Sequence, residues 1–133
     1  MSLMDGIIMN NIGHVKRLLN SGKDPNAFDE SFWSPLMTAI YYNRIEIIKL
    51  FLESKIDVNS QDRYGRTPLI FTLKYFDREE SAKLEIIEIL LDYDADVNIP
   101  DGKNNTILTF AADNGLYDVI NLIIKKRGKN GDE

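Results

Sequence analysis

Apolar residues recur along this chain in short stripes of helical spacing, and the stripes return at fixed intervals. The segments "HVKRLLN" (14 to 20), "IIKLFLE" (47 to 53), "IIEILLD" (86 to 92) and "VINLIIK" (119 to 125) are separated by 33, 39 and 33 positions. Around the second of these, Ile45, Ile48, Phe51 and Leu52 fall at i, i+3, i+6 and i+7, which makes one apolar stripe. Ile47 and Leu50 widen it, so the pattern predicts a helix buried on two sides between neighbours. A shorter helix is predicted before it. Ser34-Pro35 and Thr67-Pro68 each offer a hydroxyl for the free amides of a first turn and a proline where no donor is needed, and Thr106 can cap in the same way ahead of Ile107. Asn10, Asn43 and Gly115 share one position between the paired helices, where a left-handed residue reverses the chain. Each unit is therefore a helical hairpin.

Polar stretches join the hairpins, and they begin alike: "DPN" at 24 to 26, "DVN" at 57 to 59 and "DVN" at 96 to 98. Their Asp, Asn and Gly residues are turn formers, so each unit ends its outer helix and starts the same projecting turn. The period is 33 with one insertion of six, and it divides a single domain, residues 1 to 133, into units of about 1–26, 27–59, 60–98 and 99–128, with a tail at 129–133. The insertion lies near 75–83, in "YFDREESAK". It is expected to lengthen both helices of the third unit or to form a charged loop, as a surface extension, with a dedicated partner contact as the alternative.

With this period, these helix starts and the stretch "DRYGRTPLIFTL", the chain resembles the ankyrin repeat family, whose unit is a turn plus two helices with a T-P-L-H-x-A signature. The likeness runs from about Leu3 to Lys126. It implies an all-α solenoid of four stacked helix-turn-helix units linked by β-turn or short hairpin loops, the first and last acting as end units. It also implies a concave surface of turn tips and inner helices that binds other proteins. Two departures carry expectations. Met37, Ile70 and Thr109 stand where the family has histidine, so its hydrogen bond to the capping Thr is expected to be absent. The glycine near the end of the outer helix is kept as Gly22 but replaced by Lys55 and Asp94, which predicts looser or differently shaped helix ends there.

Composition narrows the function classes. At 133 residues and 44% hydrophobic content the chain can bury one real core. It has no cysteine, so disulfides, thiolate metal sites and Cys nucleophiles are excluded. A net charge of −5 argues against a nucleic-acid ligand, and no run approaches a membrane span, so an intracellular, cytoplasmic protein is expected. His14 is the only histidine and occupies the position of Ile47, Ile86 and Val119, which makes it a packing residue and leaves no triad or His-rich metal site. Asp92, Asp94 and Asp96 superficially resemble a calcium loop, but the sixth residue is Val97 and the twelfth Lys103, where such a loop needs Gly and Glu. "KKRGK" at 125 to 129 reads as a solvated helix end that complements the helix dipole, with a nuclear-import signal or a site for an acidic partner as the alternative. No phosphate-cradling motif is present. The expectation is a non-enzymatic chain with no cofactor and no metal.

For a stack such as the resemblance implies, register assigns the exposed inward positions to Ile8-Met9, Tyr41-Tyr42, Lys74-Tyr75 and Asp113-Asn114 at the ends of the inner helices, with Glu30, Ser31, Trp33, Arg63, Tyr64, Arg66, Lys103 and Asn105 at the turns. This set holds the only Trp and four of the six Tyr, beside Arg and Lys, and those residue types most often dominate interface energy. Trp33, Tyr41, Tyr42, Arg63, Tyr64, Arg66, Lys74, Tyr75, Lys103 and Asn105 are thus the predicted contacts for one protein partner. Truncating Trp33, Tyr42 and Tyr64 is expected to abolish binding without unfolding. Packing of Tyr41 or Tyr75 across adjacent helices, and of Trp33 over its turn, is the alternative use of the same rings. The chain is expected to be monomeric when free; a self-associating structural or scaffold protein is the competing reading.

Overall fold

The computed structural model describes residues 1–22, 24, 33–76 and 79–130, with side chains through 127. Its elements are α1 (Leu3–Ile8), α2 (Ile12–Asn20), α3 (Pro35–Tyr41), α4 (Ile45–Glu53), α5 (Pro68–Tyr75), α6 (Glu80–Asp92), α7 (Ile107–Asp113) and α8 (Tyr117–Asn130), with no strand among the described residues. The helices pack as the pairs α1/α2, α3/α4, α5/α6 and α7/α8. The first member of each pair packs on the next, giving an inner row α1, α3, α5, α7, while α2 touches α4 and α6 touches α8 on the outer side. This is the all-α solenoid of helical hairpins that the family resemblance implies.

Local chemistry starts and stops each element. The hydroxyls of Ser34, Thr67 and Thr106 accept hydrogen bonds from the amides of Met37, Ile70 and Thr109, and Pro35 and Pro68 sit in the first turn. Each cap satisfies a donor that the helix itself cannot. In the fourth unit the Thr109 hydroxyl also lies 3.1 Å from that of Thr106, so a side-chain bond to the capping Thr does exist there. Between paired helices Asn10, Asn43 and Gly115 have φ of 55°, 57° and 68°, the left-handed reversal expected of them.

The expectation of altered helix ends at Lys55 and Asp94 is wrong. Both residues adopt the left-handed conformation, with φ of 65° and 67°, despite their side chains. The amides of Ile56 and Ala95, one residue further on, donate to the carbonyls of Phe51 and Leu90 at 3.2 and 3.1 Å. These bonds close the same C-terminal turn that glycine normally closes, and Ile56 and Ala95 are buried behind it. Burial of the following residue fixes the turn even where the residue in it is unfavourable.

The core runs between the two rows. Pro35 to Ile40 of α3 and Pro68 to Leu73 of α5 are buried at every position, because each short inner helix has a neighbour on both sides and its own partner behind it. The outer helices bury one face rather than the two sides predicted for α4: Ile47, Ile48, Phe51 and Leu52 in α4, with Leu50 only half-buried, and Ile86, Ile87, Leu90 and Leu91 in α6. In the third unit α5 has eight residues and α6 thirteen, against seven and nine in α3 and α4. Phe76, the C-cap of α5, is 1% exposed and belongs to the core. Residues 77 and 78 of the inserted stretch lie outside the described residues, as do Pro25 and Asn26 of the first D-x-N.

The two described D-x-N motifs show why the pattern returns. Asp57 and Asp96 each accept the amide of the Asn two residues on, at 2.9 and 2.8 Å, which bends the chain out of the outer helix. The Asn59 side chain then accepts the amide of Asp96 at 2.8 Å, across 37 residues. Asp shapes the turn within a unit, and Asn ties that turn to the next unit.

Candidate functional site

The turn tips of the second and third joints are built alike, 39 positions apart. Asp62 accepts the amides of Tyr64 and Arg66 on one carboxylate oxygen, at 2.9 and 2.8 Å, and Asp101 accepts those of Lys103 and Asn105 at 2.8 and 2.9 Å. In both, the first and last residues close a small loop: the Asp62 amide donates to the Arg66 carbonyl at 3.0 Å and the Asp101 amide to the Asn105 carbonyl at 2.8 Å. Gly65 and Asn104 take the left-handed position, with φ of 80° and 66°. The tips then touch, because the Gly102 amide donates to the Tyr64 carbonyl at 2.8 Å. A Cβ on Gly65 would lie 2.7 Å from that amide nitrogen, so the approach requires a residue without a side chain.

Against this joint lies an open cavity of about 650 Å³ whose lining includes Arg63, Tyr64, Arg66, Lys74, Lys103 and Asn105. Six of the ten residues predicted as partner contacts are therefore brought together around one space. Ile70 and Phe110, from the inner helices α5 and α7, supply apolar lining that register alone did not identify.

The other four predicted residues form a chain of aromatic rings. Trp33 lies 5.1 Å from Tyr41 and 5.7 Å from Tyr75 between ring centroids, and Tyr41 meets Tyr42 edge-on at 5.1 Å. Phe71 is the residue that sequence reasoning missed: fully buried in α5, it receives Trp33 edge-on at 4.9 Å and lies 4.8 Å from Tyr75. Its signal was the apolar run after Pro68, where every position faces packed neighbours. Trp33 and Tyr75 are half-buried, so the rings do pack across α3 and α5, as the alternative use of these residues requires. Tyr41 remains 41% and Tyr64 58% exposed, so ring surface is also left open to a partner. Glu30 and Ser31 lie outside the described residues.

Arg66 joins the two halves. Its Nε donates to Asp62 at 2.8 Å, and its guanidinium carbon lies 4.5 Å from the Tyr64 ring centroid and 4.6 Å from that of Tyr75. Asp62 is buried, so the pair is held by the turn, and two cation–π contacts add about 0.5–1 kcal/mol each at such partly exposed sites. Arg63 approaches the Tyr64 ring at 5.7 Å. Arg44, which register alone also did not identify, braces the first joint. It donates to the carbonyls of Ile7 and Ile8 at the end of α1, and its guanidinium lies 5.8 Å from the Tyr42 ring.

The remaining candidates have other surroundings. His14 is half-buried, with Nε2 2.8 Å from the Met1 carbonyl oxygen and its ring edge against Gly6, where a Cβ would meet Cδ2 at 3.0 Å. Asp92 accepts from Lys126 Nζ at 2.6 Å, and Glu88 lies 3.1 Å from the same nitrogen. Those two carboxylates, Asp92 first, push the Lys126 ammonium above its ordinary pKa. Among the described residues no group of three or more His, Asp or Glu is placed to hold a metal ion. No helix among them is long and apolar enough to cross a membrane.

Comparison with known proteins agrees with the repeat architecture. A family model described as ankyrin repeats, three copies, matches residues 3–101. An ankyrin repeat protein of Acanthamoeba polyphaga mimivirus is 31% identical over 127 residues, covering 90% of this chain and 75% of the viral one. An ankyrin repeat-containing protein of Schizosaccharomyces pombe is 35% identical over 92 residues, 68% of this chain and 39% of that protein. The human ankyrin repeat and KH domain-containing protein 1 is 33% identical over 93 residues, and the match spans 3% of its length. The viral relative apart, the chain thus corresponds to a small part of these proteins.

Proposed function

The chain belongs to the ankyrin repeat family, whose members are generally non-enzymatic protein-interaction modules, and from that premise we propose that it binds one protein partner on the face formed by its turn tips and inner helices. The observation that carries this reading is the convergence of the ten residues on two adjoining features, a basic cavity and an aromatic chain, with Arg66 common to both. Aromatic and arginine side chains fixed in place before binding lose little entropy on contact, which is how a small face reaches useful affinity. Free in solution the module is expected to be a monomer, so sedimentation equilibrium should return about 15.3 kDa at every concentration, and a mass that rises with concentration would favour self-association instead.

The test follows from exposure. Trp33 packs edge-on against buried Phe71, so its truncation would remove core packing together with any contact. Tyr41 and Tyr64 are the better probes. Affinity capture with wild type and with the Tyr41→Ala/Tyr64→Ala variant is expected to give a protein retained by the first and lost from the second, with unchanged circular dichroism. The same proteins on both would overturn the assignment of this face.

A further inference from the structure

Charge is distributed unevenly on this acidic chain. The net charge is −5, yet the cavity between the second and third turn tips is lined by Arg63, Arg66, Lys74 and Lys103 against one carboxylate, Asp101. That carboxylate already accepts two amides of its own turn on one oxygen. Asp62, the other acid at the joint, is buried and engaged by Arg66. Lys74 and Lys103 are exposed, and neither has an ion pair with any described carboxylate. These two ammonium groups leave the opening electropositive beside the paired Arg66, and a bound anion meets that charge.

We infer that this cavity receives a carboxylate side chain from an acidic segment of the partner protein. The inference rests on the interaction face proposed above and adds the chemistry of its occupant. Arg66 is suited to orient a carboxylate, because Asp62 and the rings of Tyr64 and Tyr75 fix its guanidinium before anything binds. Lys74 and Lys103 supply mobile charge at the rim. Half-buried Phe110 covers the aliphatic stem of a Glu, and the adjoining Trp33 and Tyr41 rings meet the apolar residues beside it. Nucleic acid fits less well, since a phosphate backbone calls for a basic stripe, and these cations are confined to one opening on a chain of net negative charge.

The experiment selects short random displayed peptides on the wild-type chain. It then measures each enriched peptide against K74E/K103E, K74A/K103A and the Tyr41→Ala/Tyr64→Ala variant, all shown to be folded by circular dichroism. The expected result is enrichment of Asp- or Glu-bearing peptides that bind K74E/K103E at least about tenfold more weakly and K74A/K103A by a smaller factor. Changing the peptide acid to its amide should weaken wild type in the same way and leave K74E/K103E almost unaffected. Peptides without an acidic preference that are lost by the tyrosine variant would overturn the acidic-segment inference while leaving the face intact. No enrichment, or peptides held equally by every variant, would overturn both. A single-stranded DNA oligonucleotide bound more tightly than any peptide, and released by K74E/K103E, would overturn it in favour of nucleic acid.

Discussion

Three glycines separate the two reasons for having no side chain, and together they test whether the contact between turn tips stabilises the stack. Gly22 has φ of +92°, but a Cβ there would meet nothing within 4 Å among the described residues. Gly102 has no positive φ, but its Cβ would lie 2.9 Å from the Tyr64 carbonyl oxygen. Gly65 carries both burdens, with φ of +80° and a Cβ 2.7 Å from the Gly102 nitrogen. Alanine at Gly22 should therefore cost the left-handed penalty alone, about 1 kcal/mol. Alanine at Gly102 should push the backbones apart and lose the 2.8 Å bond from Gly102 to Tyr64, again about 1 kcal/mol. Alanine at Gly65 should combine the two, about 2–3 kcal/mol, because backbone atoms cannot swing aside as a flexible side chain can. Urea unfolding followed by circular dichroism gives the three values from the midpoints at constant slope. If Gly102→Ala falls within about 0.5 kcal/mol of wild type, as an ordinary surface change does, the tips do not support each other and the cavity beside them is not a fixed feature.

The other expectations are more local. Lys55→Gly and Asp94→Gly should each stabilise the chain by about 1 kcal/mol, since both residues hold a left-handed backbone with a side chain in place; unchanged thermal midpoints would refute this. Asn59→Ala should cost about 0.5–1.5 kcal/mol by removing the bond to the Asp96 amide, while Asn98→Ala, whose side chain makes no matching inter-unit bond among the described residues, should cost less in the same denaturant assay. The backbone amide of Ser2 and then its hydroxyl hold Asp5 below its ordinary pKa, within the capping box of α1. A carboxylate depressed in the folded state stabilises it above the unfolded pKa and loses that effect as pH falls through the folded one. The gap in melting temperature between wild type and Asp5→Ala should thus be constant near neutrality and close in acid; a gap that widens in acid would contradict the assignment. Asp92→Asn should lower the Lys126 pKa as read by NMR, with Glu88 retaining part of the elevation.

What the sequence determined by itself is everything that repeats. Helix spacing, the hydroxyl caps at Ser34, Thr67 and Thr106, and the left-handed Asn10, Asn43 and Gly115 are set by chemistry within a few residues, and each occurs often enough to fix its own register. Register, within the stack that the family resemblance implies, also places Tyr64, Arg66, Lys74 and Lys103 at tips and helix ends. What only tertiary structure decided are relations between units. Phe71 at the centre of the aromatic chain, Arg66 between two rings, and Asn59 reaching Asp96 depend on how far one unit stands from the next, which no local pattern encodes. Lys55 and Asp94 show the limit most clearly. Local preference argued against a left-handed residue there, yet the burial of Ile56 and Ala95 in the core, together with the bonds from their amides to Phe51 and Leu90, accompanies that backbone in both units.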